Sequence, residues 1–353
     1  MSTPARPARS ALLLTLALLL AQASPAQTLR ERLRERLQGH SAEADVGELS
    51  DLGGSVGAGA QSCADWAQRV NRLQERAVSR HPGPTPDMAD LAYGDQRLQR
   101  LDVFKARTTG DTAAPVIVMV HGGGWCVGDK AVPAVTEHKV ARWTPRGFIV
   151  VSVNYPMVAD GSDALAQARH VAQAVAYVQA HAPDWGGDPA RVILMGHSAG
   201  AHLVSLVNAS PALRAAAGVK PVLGTVSLDA GAIDVVKQMP QVYAFLKTRY
   251  LEAFGKTESS WIAASPYHQL GAGASPWLGV CSTQRKDKPC DQARDYAAKS
   301  RSLNILASVL PEAKNHGAIN QELGLPGPYT DSVERFMAGL DPSVAGLLER
   351  RPR

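Results

Sequence analysis

The chain has 353 residues, 45% apolar and 20% charged, with a formal net charge of +5. Such a length and apolar fraction exclude a disordered chain and suffice for one large domain with a substantial core, and so mild a charge carries no nucleic-acid footprint. Four cysteines and ten histidines form no cluster of zinc-like spacing, and no phosphate loop occurs, so no metal or other cofactor is expected.

Residues 1–26 hold Arg6 and Arg9, an apolar run over 11–21, and Ser24-Pro25-Ala26 with small residues at the cleavage positions, the pattern of a secretory signal peptide. The run falls short of the ~20 residues that cross a bilayer, so a periplasmic or secreted product without a stable membrane span is expected. Removing this segment, with two arginines and no acids, lowers the net charge from +5 to +3. Residues 27–60 are first charged and then glycine-rich, the composition of a linker. Residues 61–82 read as one amphipathic helix opening a domain over 61–350. Its simplest role is an N-terminal brace, and its place ahead of the first strands would also let it pack near a site mouth.

From about residue 90, strands alternate with helical stretches, which predicts an α/β fold: a mainly parallel sheet with helices on both faces. Residues 115–120 form an apolar strand that runs into His121-Gly122-Gly123-Gly124-Trp125. Helical spacing follows over 131–143 and 164–179. Residues 192–195 are a second apolar strand, and it runs into Gly196-His197-Ser198-Ala199-Gly200 and then into helix formers up to Asn208. A serine on a tight strand-to-helix turn projects its hydroxyl above the sheet, and Gly196 and Gly200 let backbones approach without a Cβ clash. The glycine loop supplies what an attacking serine requires next, unhindered N–H groups where an oxyanion develops, and Gly123, Gly124 and Ala199 are the candidate donors. Further strands are expected at 225–228 and 277–281, and helices at 291–301 and 332–340. Between 233 and 266 strand character gives way to Tyr243, Phe245, Tyr250, Leu251, Phe254 and Trp261, a small cap insertion.

These motifs resemble the α/β-hydrolase superfamily, and within it the HGGG-type carboxylesterases and lipases close to hormone-sensitive lipase and to bacterial feruloyl-esterase-like enzymes. Tyr93-Gly94 with Leu101-Asp102-Val103-Phe104 resembles the first hairpin of those enzymes, and Val151-Ser152-Val153-Asn154-Tyr155 their strand before the second helix. The match covers about residues 91–340. One departure is Pro156-Met157, where the family has Arg-Leu. The resemblance implies a triad in the chain order Ser, acid, His. His316 fits the base, since Asn315-His316-Gly317 follows the apolar run 303–310 and resembles the family's histidine loop; His202 sits in the helix after the elbow and His268 ahead of the last strands. Asp287 is the expected acid, in the loop after strand 277–281. Asp291 reads as the N-terminal residue of the next helix, Asp295 as solvent-facing, and Asp229 and Asp234 as too early in the chain.

An exported chain makes its cysteines disulfide candidates, with three connectivities open to four cysteines. Cys281 and Cys290 flank the expected acid loop, and that pairing leaves Cys63 with Cys126, tying the N-terminal helix to the glycine loop. The expectation is therefore a carboxylesterase acting on a small-molecule ester through an acyl-enzyme, without cofactor or nucleic acid. An arylformamidase-like amide hydrolase shares these motifs, a peptidase is a weaker rival, and a catalytically silent binding protein of the same fold is the alternative from another class.

Overall fold

A computed structural model describes residues 62–108 and 112–349. The expected signal peptide (1–26) and linker (27–60) lie outside the described residues. Eight strands form one sheet: β1 Met88–Ala92, β2 Arg100–Phe104, β3 Ala114–Val120, β4 Ile149–Val153, β5 Gly187–His197, β6 Gly224–Leu228, β7 Trp277–Ser282 and β8 Ala307–Glu312. Their spatial order is β1-β2-β4-β3-β5-β6-β7-β8. β1 pairs antiparallel with β2 and β2 with β4, and every later pairing is parallel.

The central strands β3, β4 and β6 are buried at every position because helices cover both faces. Along β3, Val116, Val118 and Val120 join one core with helices α3 (Ala164–His181) and α4 (Ala199–Ala209). Ile117 and Met119 point the other way, into a core shared with α2 (Pro133–Trp143) and α12 (Pro328–Ala338). Each fully buried Val or Ile contributes roughly 1.5–3 kcal/mol of gross burial energy, so this alternation fixes the register of the strands that carry the site. Local signals set the helix starts. Pro133 opens α2, the Asp163 carboxylate accepts from Ala166 N ahead of α3, and Ser210 caps α5 (Pro211–Ala217).

After β6 come four short helices and no strand: α6 Val235–Gln238, α7 Lys247–Phe254, α8 Glu258–Ala263 and α9 Pro266–Gln269. The remaining helices are α1 Cys63–Arg80, α10 Pro289–Ser302, α11 His316–Gln321 and α13 Pro342–Glu349. Two of the boundaries that differ from the sequence expectation have a local cause. The helix expected at 291 starts at Pro289, because a left-handed Lys288 (φ 49°) turns the chain into a proline that needs no N–H partner; Asp291 lies in its first turn and accepts from Arg294. The apolar run 303–310 becomes strand only from Ala307. Asn304 takes a left-handed turn (φ 59°) that brings the chain back from α10, leaving Leu306 61% exposed.

Cys63 is bonded to Cys126 and Cys281 to Cys290. The first bridge closes a 63-residue separation and the second only 9, so in the chain-entropy picture their removal costs about 4 and about 3 kcal/mol respectively. Urea unfolding of the two Cys-to-Ser double variants tests that order. A larger loss from the Cys281/Cys290 variant contradicts it.

Candidate active site

Ser198 stands between the end of β5 and the start of α4 with φ 54° and ψ −116°. A positive φ at a non-glycine residue costs about 1–3 kcal/mol and persists only where its surroundings fix it. Here Ser198 N donates to Leu228 O at 2.9 Å, and Ser198 O accepts from His202 N at 3.1 Å. The turn requires glycine on both sides for contact reasons. A Cβ on Gly196 would lie 2.4 Å from Gly200 O, and one on Gly200 would lie 2.2 Å from Val120 O.

The glycine loop continues from β3. Gly123 O accepts from Cys126 N and Val127 N, both at 3.1 Å, which curls the loop back on itself. Among the described residues, no backbone turn hydrogen bond uses the N–H groups of Gly123, Gly124 or Ala199, the three expected donors. Gly122 packs on the elbow: a Cβ there would lie 2.9 Å from both His197 O and Ser198 Cβ. His121 donates through Nδ1 to Gly122 O at 2.8 Å and stacks on Tyr155 at 4.5 Å, and the Tyr155 hydroxyl donates to His121 O at 3.0 Å. Next to Tyr155, Asn154 Oδ1 accepts from Lys130 N, and Lys130 Nζ bonds Asp102 and Asp90.

His316 is the first residue of α11, whose start is fixed by the Asn315 side chain accepting from Ala318 N at 2.7 Å. Its carbonyl accepts from His197 Nε2 at 3.0 Å, and the two rings lie 4.5 Å apart, so His316 is held against the residue preceding Ser198. His316 Nδ1 donates to Asp229 Oδ2 at 2.6 Å, which leaves Nε2 as the nitrogen able to take a proton.

The acid expected at Asp287 is corrected here. Asp287 does not bond His316; both its oxygens receive Arg285, at 3.0 Å from Nε and 2.5 Å from Nη2. Asp229 takes the place by His316 because it directly ends β6, the strand next to the elbow strand, whereas Asp287 lies five residues beyond β7. Asp229 still obeys the chain order Ser, acid, His. The readable signal was an aspartate at the carboxyl end of a parallel strand, the edge where such sheets build their sites. Asp229 is 0% exposed, and burial alone would raise its carboxyl. Arg285, the His316 hydrogen bond and the Ser282 N–H donating at 2.8 Å together outweigh that and hold it well below the usual carboxylate range.

Residues 101–249 match the family described as BD-FAE. Among curated relatives, isoprenylcysteine alpha-carbonyl methylesterase of Arabidopsis thaliana is 36% identical over 117 residues, 33% of this chain and 26% of that protein. Esterase LipQ of Mycobacterium tuberculosis is 29% identical over 255 residues, 66% of this chain and 58% of that protein. The chain thus spans less than two thirds of the length of these relatives. Among solved structures, esterase 2 of Thermogutta terrifontis superposes with a TM-score of 0.61 at 19% identity, covering 76% of this chain and 99% of that one. Esterase B of Lactobacillus rhamnosis gives 0.60 at 17%, covering 81% and 93%.

The chain has the α/β-hydrolase fold. Within this fold His202 ties the glycine loop to the helices after β6. His202 Nε2 donates to Ala264 O at 2.7 Å, so its Nδ1 is the acceptor for Trp125 Nε1 at 3.2 Å. Trp125 in turn meets Tyr250 and Phe254 of α7 edge-on. Burial pushes His202 down from the usual 6.5 to about 4, against the opposing Ala264 hydrogen bond. The unfolded chain therefore takes up this proton first on acidification. The share of stability held by neutral His202 is complete above pH 6.5 and is lost, by roughly 3 kcal/mol at most, as pH falls towards 4. Urea unfolding at pH 7 and pH 4.5 should show a smaller pH dependence for His202→Gln than for the wild type. Equal dependence contradicts the assignment.

Proposed function

We propose that the chain hydrolyses carboxylic esters through an acyl-enzyme, with Ser198 as nucleophile, His316 as general base and acid, and Asp229 as the carboxylate that orients it. The observation that carries this reading is the buried 2.6 Å contact between His316 Nδ1 and Asp229 beside a serine held at positive φ. Ser198 Oγ attacks the acyl carbonyl while His316 Nε2 takes its proton. The tetrahedral oxyanion is met by the N–H groups of Gly123, Gly124 and Ala199, each such donor being worth about 3–4 kcal/mol. Collapse expels the alcohol, protonated by His316, and a water repeats the sequence to release the acid.

The esterase names of the relatives support this class of reaction, and the ring cluster of Trp125, Tyr250 and Phe254 would form an apolar wall for the acyl or alcohol part. The two disulfides support an oxidising compartment, hence export by the segment 1–26.

A fluorophosphonate probe should label the protein at Ser198 and fail on Ser198→Ala, which opens no cavity and should melt like the wild type. A short p-nitrophenyl ester should turn over, and Asp229→Asn should lower kcat by about 10⁴-fold through the wrong histidine tautomer. If Ser198→Ala keeps a tenth of the turnover, the nucleophile is elsewhere. Preference for N-formylkynurenine over the ester would move the assignment to an amide hydrolase.

A further inference from the structure

The loop between β7 and α10 holds an arginine that touches both members of the acid–base pair. Arg285 Nη1 donates to Asp229 O at 3.0 Å and to Asp229 Oδ2 at 3.1 Å, and lies 3.3 Å from His316 Nδ1, a contact between two donors rather than a hydrogen bond. Its other edge is gripped by both oxygens of Asp287. A guanidinium held in a two-point fork has one orientation, so Asp287 determines where Nη1 points. The loop itself is fixed at both ends. Ser282 N bonds Asp229 Oδ1, Ser282 Oγ donates to Lys314 O at 2.6 Å, and the Cys281–Cys290 bridge closes its base.

Resting on the reading of Asp229 as the triad acid, we propose that Arg285 is a positioning residue that fixes the Asp229 carboxylate, and that Asp287 is the counter-charge that keeps this arginine from opposing the imidazolium. Asp229 and Arg285 alone sum to zero, so the positive charge that His316 acquires during acylation would face a neutral pair with a guanidinium at 3.3 Å. With Asp287 added the trio carries one net negative charge, which compensates the imidazolium in a buried site where charges act strongly. Other titratable or charged groups stand around His316, among them Tyr329 of α12, whose hydroxyl donates to Ile319 O of α11 at 2.7 Å. His197 faces His316 from β5 and is pushed down by burial; Lys139 of α2 acts on His197 and is itself pushed down to about 7 by burial. Tyr250 of α7 faces Arg285 and Asp287, Glu312 closes β8, and the Lys314–Glu322 ion pair flanks α11. None of these touches Asp229 as Arg285 does.

The test is the pH profile of kcat/KM on a p-nitrophenyl ester, measured on the full chain for wild type, Arg285→Gln, Asp287→Asn and the double variant. Asp287→Asn should move the acidic limb to lower pH and Arg285→Gln to higher pH, each by about 0.5–1 unit, and the double variant should return it towards the wild type. Each single change should lower kcat about 5- to 50-fold with little change in KM, as expected when an interaction acts only in the transition state. Arg285→Lys, which keeps the charge and loses the fork, should lose kcat with the limb unmoved, and it serves if Arg285→Gln fails to fold. Limbs that stay in place, or that move in the same direction for both single variants, overturn the proposal and make the pair a structural brace. A loss near 10⁴-fold in Asp287→Asn with activity kept in Asp229→Asn overturns it differently, by making Asp287 the acid.

Discussion

A carboxylate that is wholly buried has to be compensated, and the C-terminal edge of this sheet is organised around compensating one. Asp229, which follows β6, receives a backbone N–H from Ser282, an imidazole N–H from His316 and a guanidinium from Arg285, so groups at the ends of β7 and β8 converge on it. Without them its charge would be costly by several kcal/mol, and with them it is ionised and immobile. The strained elbow depends on the same edge, since Ser198 N is bonded to Leu228 O, the residue just before Asp229. Ser198, His316 and Asp229 are thus tied to one another at the ends of neighbouring parallel strands.

A second set of contacts holds the opposite wall of the site. Cys126 joins the glycine loop covalently to α1, and Trp66 of α1 stands where a Cβ on Gly124 would be 3.0 Å from its ring. Arg249 of α7 lies over the same Trp66 ring at 4.4 Å, and Glu252 accepts from Cys63 N at 2.7 Å. The N-terminal helix is therefore more than a brace on the outside of the domain. It bridges the glycine loop and the helices after β6.

The sheet, its parallel core and the two glycine motifs were legible because they are local: apolar strands buried on both faces, and elbow glycines where a Cβ would come within 2.2–2.4 Å of backbone oxygens. His316 was legible from its turn, although the sequence did not reveal that the turn is the capped start of a helix. Asp229 was not, since an aspartate ending a strand and an aspartate in the next loop look alike until the loop's own arginine is seen to occupy the second. Arg285 carried no signal by itself. Its role arises from a fork to a residue two positions away and a reach to one 56 positions earlier, and only the second of these is tertiary.

The claim on which the account turns is that Asp229, and not Asp287, holds the Nδ1 proton of His316. Low-field proton NMR observes that proton directly, because a short hydrogen bond to a carboxylate shifts it far downfield of the amide envelope. Such a resonance is expected in the wild type, retained in Asp287→Asn and absent in Asp229→Asn. A resonance that vanishes in Asp287→Asn and survives in Asp229→Asn would contradict it.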